Sequence, residues 1–143
     1  MQELPHVYTV KAHSNAEGVR LSSKGVDDLP SAAPSEFGGP GNLWSPETLL
    51  VAAVADCFVL SFKAIARASN FDWVDINCEV EAVLDRVERK TCFTEVRVAP
   101  CLTITDTAHI KKAERLLEKS ESACLITNSM TAKVSINMKV VIK

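Results

Sequence analysis

A long apolar segment in the first half of the chain most restricts what this sequence can fold into. The run Ser45-Pro46-Glu47 predicts a helix start, because serine caps helices, proline suits the first position and an acid there favours the helix dipole. The helix is expected to end near Ala68, and apolar residues cover most of its circumference. Only Asp56, Lys63 and Arg67 form a narrow polar stripe. Such a helix must be largely buried, by the rest of the fold or by another subunit.

The segments around this helix alternate between apolar and polar residues, as β-strands do. The predicted strands cover residues 6–13, 19–23, 76–82, 92–104 with a break at Pro100, and 132–142, with a charged turn at 85–90. A second helix is predicted over residues 108–124, capped by Asp106 or Thr107. The order β-β-loop-α-β-β-α-β indicates an α+β protein with mostly antiparallel sheet.

The loop before the first helix is unusually long for a compact domain. Residues 30–46 hold four of the six prolines and three of the five glycines. Loops of this length are commonly functional or disordered. Phe37 and Trp44 inside it favour a loop that packs against the fold.

Composition limits the class of protein. The chain has 143 residues, of which 47% are hydrophobic, so we expect a single domain, 1–143, with a substantial core. A net charge of -2 argues against a nucleic-acid partner, which needs clustered positive charge. We expect no membrane span, since no apolar run reaches the roughly 20 residues that a span requires, and the N-terminus lacks the regions of a secretory signal. These features together predict a cytoplasmic protein.

Five cysteines are the main chemical feature: Cys57, Cys78, Cys92, Cys101 and Cys124. Their number is odd, and the absence of a C-x-x-C pair argues against a structural zinc site. A disulfide scaffold is not expected either, because a reducing cytoplasm would not keep one. We therefore expect neither metal nor cofactor. Cys78 and Cys92 fall on apolar strand faces and are predicted to be buried structural thiols, while Cys101 is assigned no role.

Cys57 and Cys124 lie at positions where a thiol could take part in chemistry. A thiol reacts as its thiolate, which is scarce at neutral pH without nearby positive charge. Cys57 lies about three turns into its helix, too far for the dipole to act, so an arginine from elsewhere would be needed. A helix C-terminus disfavours a thiolate, so Cys124 suits a second, resolving thiol. The spacing alone leaves open whether they are a pair or two core cysteines on two helices.

Several motifs resemble the OsmC/Ohr family, the osmotically inducible protein C and organic hydroperoxide resistance proteins. They are the glycine loop at 34–41, the helix start at 45–50, Ala53 and Ala55-Asp56-Cys57, and Ala123-Cys124 followed by Thr127-Asn128-Ser129. The likeness extends over about residues 7–142. It implies an OsmC-like fold and an intertwined homodimer with two apolar helices in its centre.

The resemblance also implies a thiol peroxidase for organic hydroperoxides. Cys57 would attack the hydroperoxide and Cys124 would close a disulfide, which a dithiol reductant reopens; in one branch of the family this reductant is a lipoylated protein. Glu47 matches the family's glutamate that holds an arginine beside the thiolate, and Arg20 is the arginine available in the first hairpin. The aromatic residues Phe37, Trp44 and Phe58 are expected to wall an apolar substrate pocket.

Each of these assignments has a simpler alternative. Glu47 could simply be an acid in the first turn of a helix, and Arg20 an exposed strand residue. The three aromatic residues could pack in the core or in a dimer interface. Arg20 lies off the family's register, and Leu125 replaces the proline that usually follows the second cysteine. Two other functions stay open: a non-catalytic dimer that binds an apolar ligand, and a thiol redox sensor without fast peroxidase activity.

Overall fold

The chain forms two compact units, Met1–Leu50 and Val51–Lys143. The computed structural model describes residues 1–16 and 18–143. The boundary between the units falls inside the long helix, whose first turn belongs to the first unit. That residues 1–143 act as a single domain stays a prediction.

The first unit is built on a three-stranded antiparallel sheet in the order β1-β2-β3. Its strands are β1 (Lys11–His13), β2 (Val19–Ser22) and β3 (Leu29–Ser31). The predicted hairpin is confirmed in β1 and β2, although residues 6–10 lie outside the strand. Strand β3 was not predicted because it contains Pro30, which lacks an N–H. Proline is tolerated there because β3 is an edge strand.

The loop that follows is shaped by two glycines. Ser35–Phe37 forms a single 3₁₀ turn that ends at Gly38, whose φ of 83° is in the left-handed region that favours glycine. At Gly39 a Cβ atom would lie 1.6 Å from the carbonyl oxygen of Ala33. The close approach of two backbone segments therefore requires glycine at this position.

Helix α1 (Pro46–Ala68) begins where the sequence predicts. The Thr48 N–H donates to Ser45 Oγ at 3.1 Å, and the Ser45 N–H donates to Thr48 Oγ1 at 2.9 Å. This reciprocal pair satisfies backbone donors at the helix start and confirms Ser45 as the N-cap.

Within one chain, α1 buries a single stripe of residues. These are Val54, Phe58, Phe62 and Ala66, spaced four apart. By length and composition alone α1 could cross a membrane, since an 18-residue window has a mean hydropathy of 2.1. The length of α1 corrects the expectation that no apolar run in the sequence is long enough to span a membrane. The buried stripe nevertheless packs into the hydrophobic core of the second unit, as a core helix of a folded domain does.

The second unit contains a four-stranded mixed sheet. Its strands are β4 (Asp75–Val87), β5 (Lys90–Ile104), β6 (Lys133–Ile136) and β7 (Lys139–Ile142). Strands β4 and β5 are antiparallel, while β6 and β7 run parallel to β5. The predicted turn at 85–90 narrows to Glu88 and Arg89, both with positive φ, as a tight hairpin requires.

Pro100 does not interrupt β5 as the sequence suggested. Strand β6 pairs with β5 up to Val98, and β7 pairs with it from Cys101 onwards. Pro100 therefore lies in the gap between the two partner strands, where its missing N–H leaves no ladder bond unmade. The single strand predicted over residues 132–142 is divided at this gap into β6 and β7. Between them, the Asn137 N–H donates to the Val98 carbonyl at 2.8 Å.

Helix α2 (Ile110–Ser122) closes the core of the second unit. A 3₁₀ turn precedes it, and the Asp106 carboxylate accepts from the Ala108 N–H at 2.9 Å, which confirms the predicted cap. The helix ends two residues before Cys124, slightly earlier than expected. Its buried residues Ala113, Leu116 and Leu117 join those of α1 and β5 in one hydrophobic cluster.

Candidate active site

Cys57 lies on the side of α1 turned away from the core. It is half-buried, whereas its neighbour Phe58 is 1% exposed and belongs to the hydrophobic core. The thiol opens on a groove of about 450 Å³. The groove is lined by Ala53, Asp56, Cys57, Leu60, Ser61, Ala64, Leu125 and Ile126, all of the second unit.

The walls of this groove are mainly aliphatic. Its polar side chains are the Asp56 carboxylate and the Ser61 hydroxyl, whose Oγ lies 4.0 Å from Cys57 Sγ. Among the described residues that line it, none carries a positive charge. The groove suits a small apolar molecule placed against the sulfur.

Cys124 is held in a turn just beyond α2. Its side chain is 1% exposed, and its carbonyl accepts from the Asn128 N–H at 3.0 Å and from Thr127 Oγ1 at 3.1 Å. The turn-like run 127–129 forms a short 3₁₀ helix. Leu125 and Ile126, which follow Cys124 directly, line the groove beside Cys57. The groove therefore joins Cys57 to the segment that carries the second cysteine.

Cys57 is the one cysteine among the described residues that line this groove, and Cys124 and the other three lie outside that lining. Cys78 packs against the hydrophobic cluster, as predicted, and burial together with the nearby Cys124 raises the pKa of its thiol from 9.0 to about 11. Cys92 and Cys101 are half-buried on β5. All five thiols are free. At neutral pH Cys78 is thus a protonated thiol beside Cys124.

The remaining candidate residues lie in the first unit. Glu47 is half-buried in the first turn of α1 and lines an apolar cavity of about 480 Å³ together with Phe37. Arg20 is exposed on β2, directly opposite His13. Trp44 lines a separate cavity of about 390 Å³. Of residues 1–16 and 18–143, Arg20 and Glu47 make no ion pair with each other.

The sequence analysis missed most of the groove wall. Ala53, Cys57, Leu60 and Ala64 recur at spacings of three and four, so they share one helix face and could have been found from the pattern. Leu125 and Ile126 carry no such signal. Their approach to Cys57 depends on how α1 and the segment after α2 pack together.

The family of the chain follows from comparison with known proteins. The sequence model of the OsmC-like protein family matches residues 39–139, which include the long helix, both candidate cysteines and nearly the whole mixed sheet. The chain belongs to this family. The resemblance noted from the sequence motifs is confirmed.

Known relatives are distant in sequence but similar in fold. The uncharacterized protein YmaD of Bacillus subtilis is 23% identical over 113 residues, covering 77% of this chain and 75% of YmaD. An OsmC-like protein of unknown function from Vibrio cholerae superposes with a TM-score of 0.84 at 16% identity, covering 94% and 99% of the two chains. An organic hydroperoxide resistance protein OsmC from Legionella pneumophila superposes with a TM-score of 0.77 at 24% sequence identity. The match covers 98% of this chain and 100% of the Legionella chain. These likenesses confirm the α+β, OsmC-like fold.

Proposed function

We propose that this protein is a thiol peroxidase that reduces organic hydroperoxides. One observation supports this most directly: Cys57 opens on an apolar groove whose lining includes Leu125 and Ile126, the two residues directly after Cys124. Family membership agrees with it, because solved structures of the same fold include organic hydroperoxide resistance proteins. An alkyl or aryl hydroperoxide would bury its carbon atoms against the aliphatic walls, which contributes about 0.8 kcal/mol per CH₂ group.

In the first step the Cys57 thiolate attacks the distal oxygen of the hydroperoxide. The sulfur supplies an electron pair to form the S–O bond, the O–O bond breaks, and the leaving alkoxide takes a proton to become the alcohol. Cys57 is thereby oxidised to a sulfenic acid.

In the second step the Cys124 thiol attacks the sulfenic sulfur. A disulfide forms between Cys57 and Cys124, and the hydroxyl leaves as water. A dithiol reductant then returns both cysteines to thiols by exchange and becomes a disulfide itself. A lipoylated protein is one dithiol of this kind.

The peroxidatic thiolate needs a positive charge, and we propose Arg20 as its source and Glu47 as the acid that orients it, an arrangement that the described residues of the single chain do not form. The described lining of the groove supplies only the negative charge of Asp56, so the cation must come from residues outside this lining. An arginine beside the sulfur would hold the thiolate and stabilise the alkoxide that forms.

We also propose that the protein acts as a homodimer. Leu50 and Leu60 on α1 are 36% and 56% exposed in the single chain, and the described residues of the first unit include no fully buried apolar side chain. Apolar helix surface of this extent is normally covered, and a second copy would cover it.

The odd number of free cysteines suits a reducing compartment, and we infer a cytoplasmic location.

Thiol counting tests the peroxidase directly. The reduced protein is mixed with one equivalent of cumene hydroperoxide, and free thiols are measured after denaturation. We expect five thiols to fall to three within seconds, because Cys57 and Cys124 are consumed together.

Variants identify the two cysteines. Cys57→Ser should lose no thiols, and Cys124→Ser should be oxidised once at Cys57 and then stall. Cys101→Ser is the matched control, because this half-buried thiol lies on β5 outside the groove lining, and it should lose two thiols like the parent. Rapid loss of two thiols in Cys57→Ser would contradict the assignment.

A non-catalytic protein that binds an apolar ligand is the second candidate. The lack of a cation among the described groove residues favours it. It predicts slow or no thiol loss with hydroperoxide, together with saturable binding of a neutral apolar dye such as Nile red. Disulfide formation with diamide but not with hydroperoxide would instead indicate a redox sensor.

A further inference from the structure

Asp56 stands out among the residues that line the Cys57 groove. It is the one charged side chain in the described lining, it is exposed, and it immediately precedes Cys57 on α1. The other lining residues are aliphatic, small or hydroxyl-bearing. The nearest cation along the same polar stripe, Lys63, lies about 10 Å further along the helix and is outside the lining.

Within the described lining, Asp56 therefore adds one negative charge beside an apolar wall. A ligand without charge meets the aliphatic surface and pays no electrostatic cost. A ligand that carries its own carboxylate brings a second negative charge into the groove that Asp56 lines. Because Asp56 is exposed, water and salt weaken this repulsion without removing it.

We propose that Asp56 makes this groove selective for uncharged alkyl and aryl hydroperoxides over hydroperoxides that carry a carboxylate. The proposal rests on the peroxidase function assigned above and names the substrate class of that site. Asp56 acts here as a specificity determinant and takes no part in the transfer of oxygen.

A matched pair of substrates isolates the effect of charge. Cumene hydroperoxide and its para-carboxylate share the same ring and the same reacting group, and they differ in one negative charge. The second-order rate of thiol loss is measured for each by stopped flow. The ratio of the two rates cancels any effect of a substitution on the reactivity of Cys57 itself.

We expect Asp56 to raise the rate with the neutral hydroperoxide relative to the rate with the carboxylate, whatever the effect of the cation at the sulfur on both. In Asp56→Asn this preference should fall about two- to fivefold, the size of an interaction between exposed charges. In the parent protein the preference should also shrink as ionic strength rises, because salt screens the repulsion. Asp56→Glu keeps the negative charge, so its rate ratio should stay near that of the parent protein.

Asp72→Asn is the matched control. Asp72 is an exposed carboxylate just beyond the end of α1 and is not among the residues that line the groove. Its removal changes the net charge by the same amount, so the rate ratio should stay at the parent value. An equal shift in both variants would show a long-range charge effect and would overturn the proposal.

Two further outcomes separate this proposal from the peroxidase itself. If Asp56→Asn changes both rates by one factor, the specificity role is wrong while the peroxidase stands. If neither hydroperoxide consumes thiols, the peroxidase fails, and selectivity is then measured by titrating the two product alcohols, neutral and carboxylated, into the parent and Asp56→Asn proteins by NMR. Equal discrimination in both proteins would overturn the role of Asp56.

Discussion

At the scale of single residues, the cysteines differ in what surrounds each sulfur. Cys57 borders an apolar groove, Cys124 is enclosed by its turn, and Cys78 packs in the core beside Cys124. Their chemistry should differ accordingly, because thiol reactivity follows both access and the thiolate fraction.

The raised pKa of Cys78 predicts how stability changes with pH. A thiol whose pKa is higher in the folded protein than in the unfolded chain favours folding below the unfolded value of 9.0. That contribution is lost as the pH rises towards about 11. Urea unfolding of the parent protein should therefore show a fall in unfolding free energy between pH 9 and 11 that is shallower in Cys78→Ala. Parallel pH profiles of the two proteins would contradict this.

At the scale of elements, the start of α1 depends on its capping pair. Ser45 is almost fully buried and exchanges hydrogen bonds with Thr48 through both backbone and side chain. These bonds fix the point at which the glycine loop becomes a helix. Further along the helix that begins here, Phe58 faces the core and Cys57 faces the groove.

Removing the cap should cost measurable stability. Ser45→Ala is expected to lower the free energy of unfolding by about 1 kcal/mol, because the Thr48 N–H loses its acceptor. Ser35→Ala is the control, since the hydroxyl of this exposed serine donates to the adjacent Glu36 carboxylate and caps no helix N–H among the described residues. Urea denaturation of both variants measures the difference, and equal losses would argue against the capping role.

At the scale of the whole molecule, the apolar residues are unevenly buried. The fully buried apolar side chains of the described chain all lie in the second unit, between Val54 and Cys124. A three-stranded sheet without a buried apolar face is not stable alone. This imbalance is the physical basis for expecting a second copy of the chain.

Sedimentation equilibrium tests that expectation. The parent protein should have the mass of two chains, and Leu50→Glu should shift it towards one chain, because a charge would be placed in the covered apolar surface of α1. Thr105→Glu introduces the same charge in an exposed turn after β5 and should leave the mass unchanged. A monomeric parent protein would overturn the dimer.

Local features of the sequence were enough to locate most elements. Ser45 and Asp106 identify helix starts because a cap acts on the nearest few backbone N–H groups. The alternation around Ile76 identifies β4 because successive side chains of a strand face opposite sides. The family motifs predicted the OsmC-like fold and marked Cys57 and Cys124 as the candidate reactive cysteines.

Tertiary structure decided what depends on distant parts of the chain. Pro100 fits within β5 only because two separate strands pair on either side of it, and no local pattern records that gap. The groove beside Cys57 exists only because the segment after α2 packs near α1, which brings Leu125 and Ile126 to the thiol. Sequence patterns report neighbours along the chain, whereas the walls of a groove are set by side chains that meet only after folding.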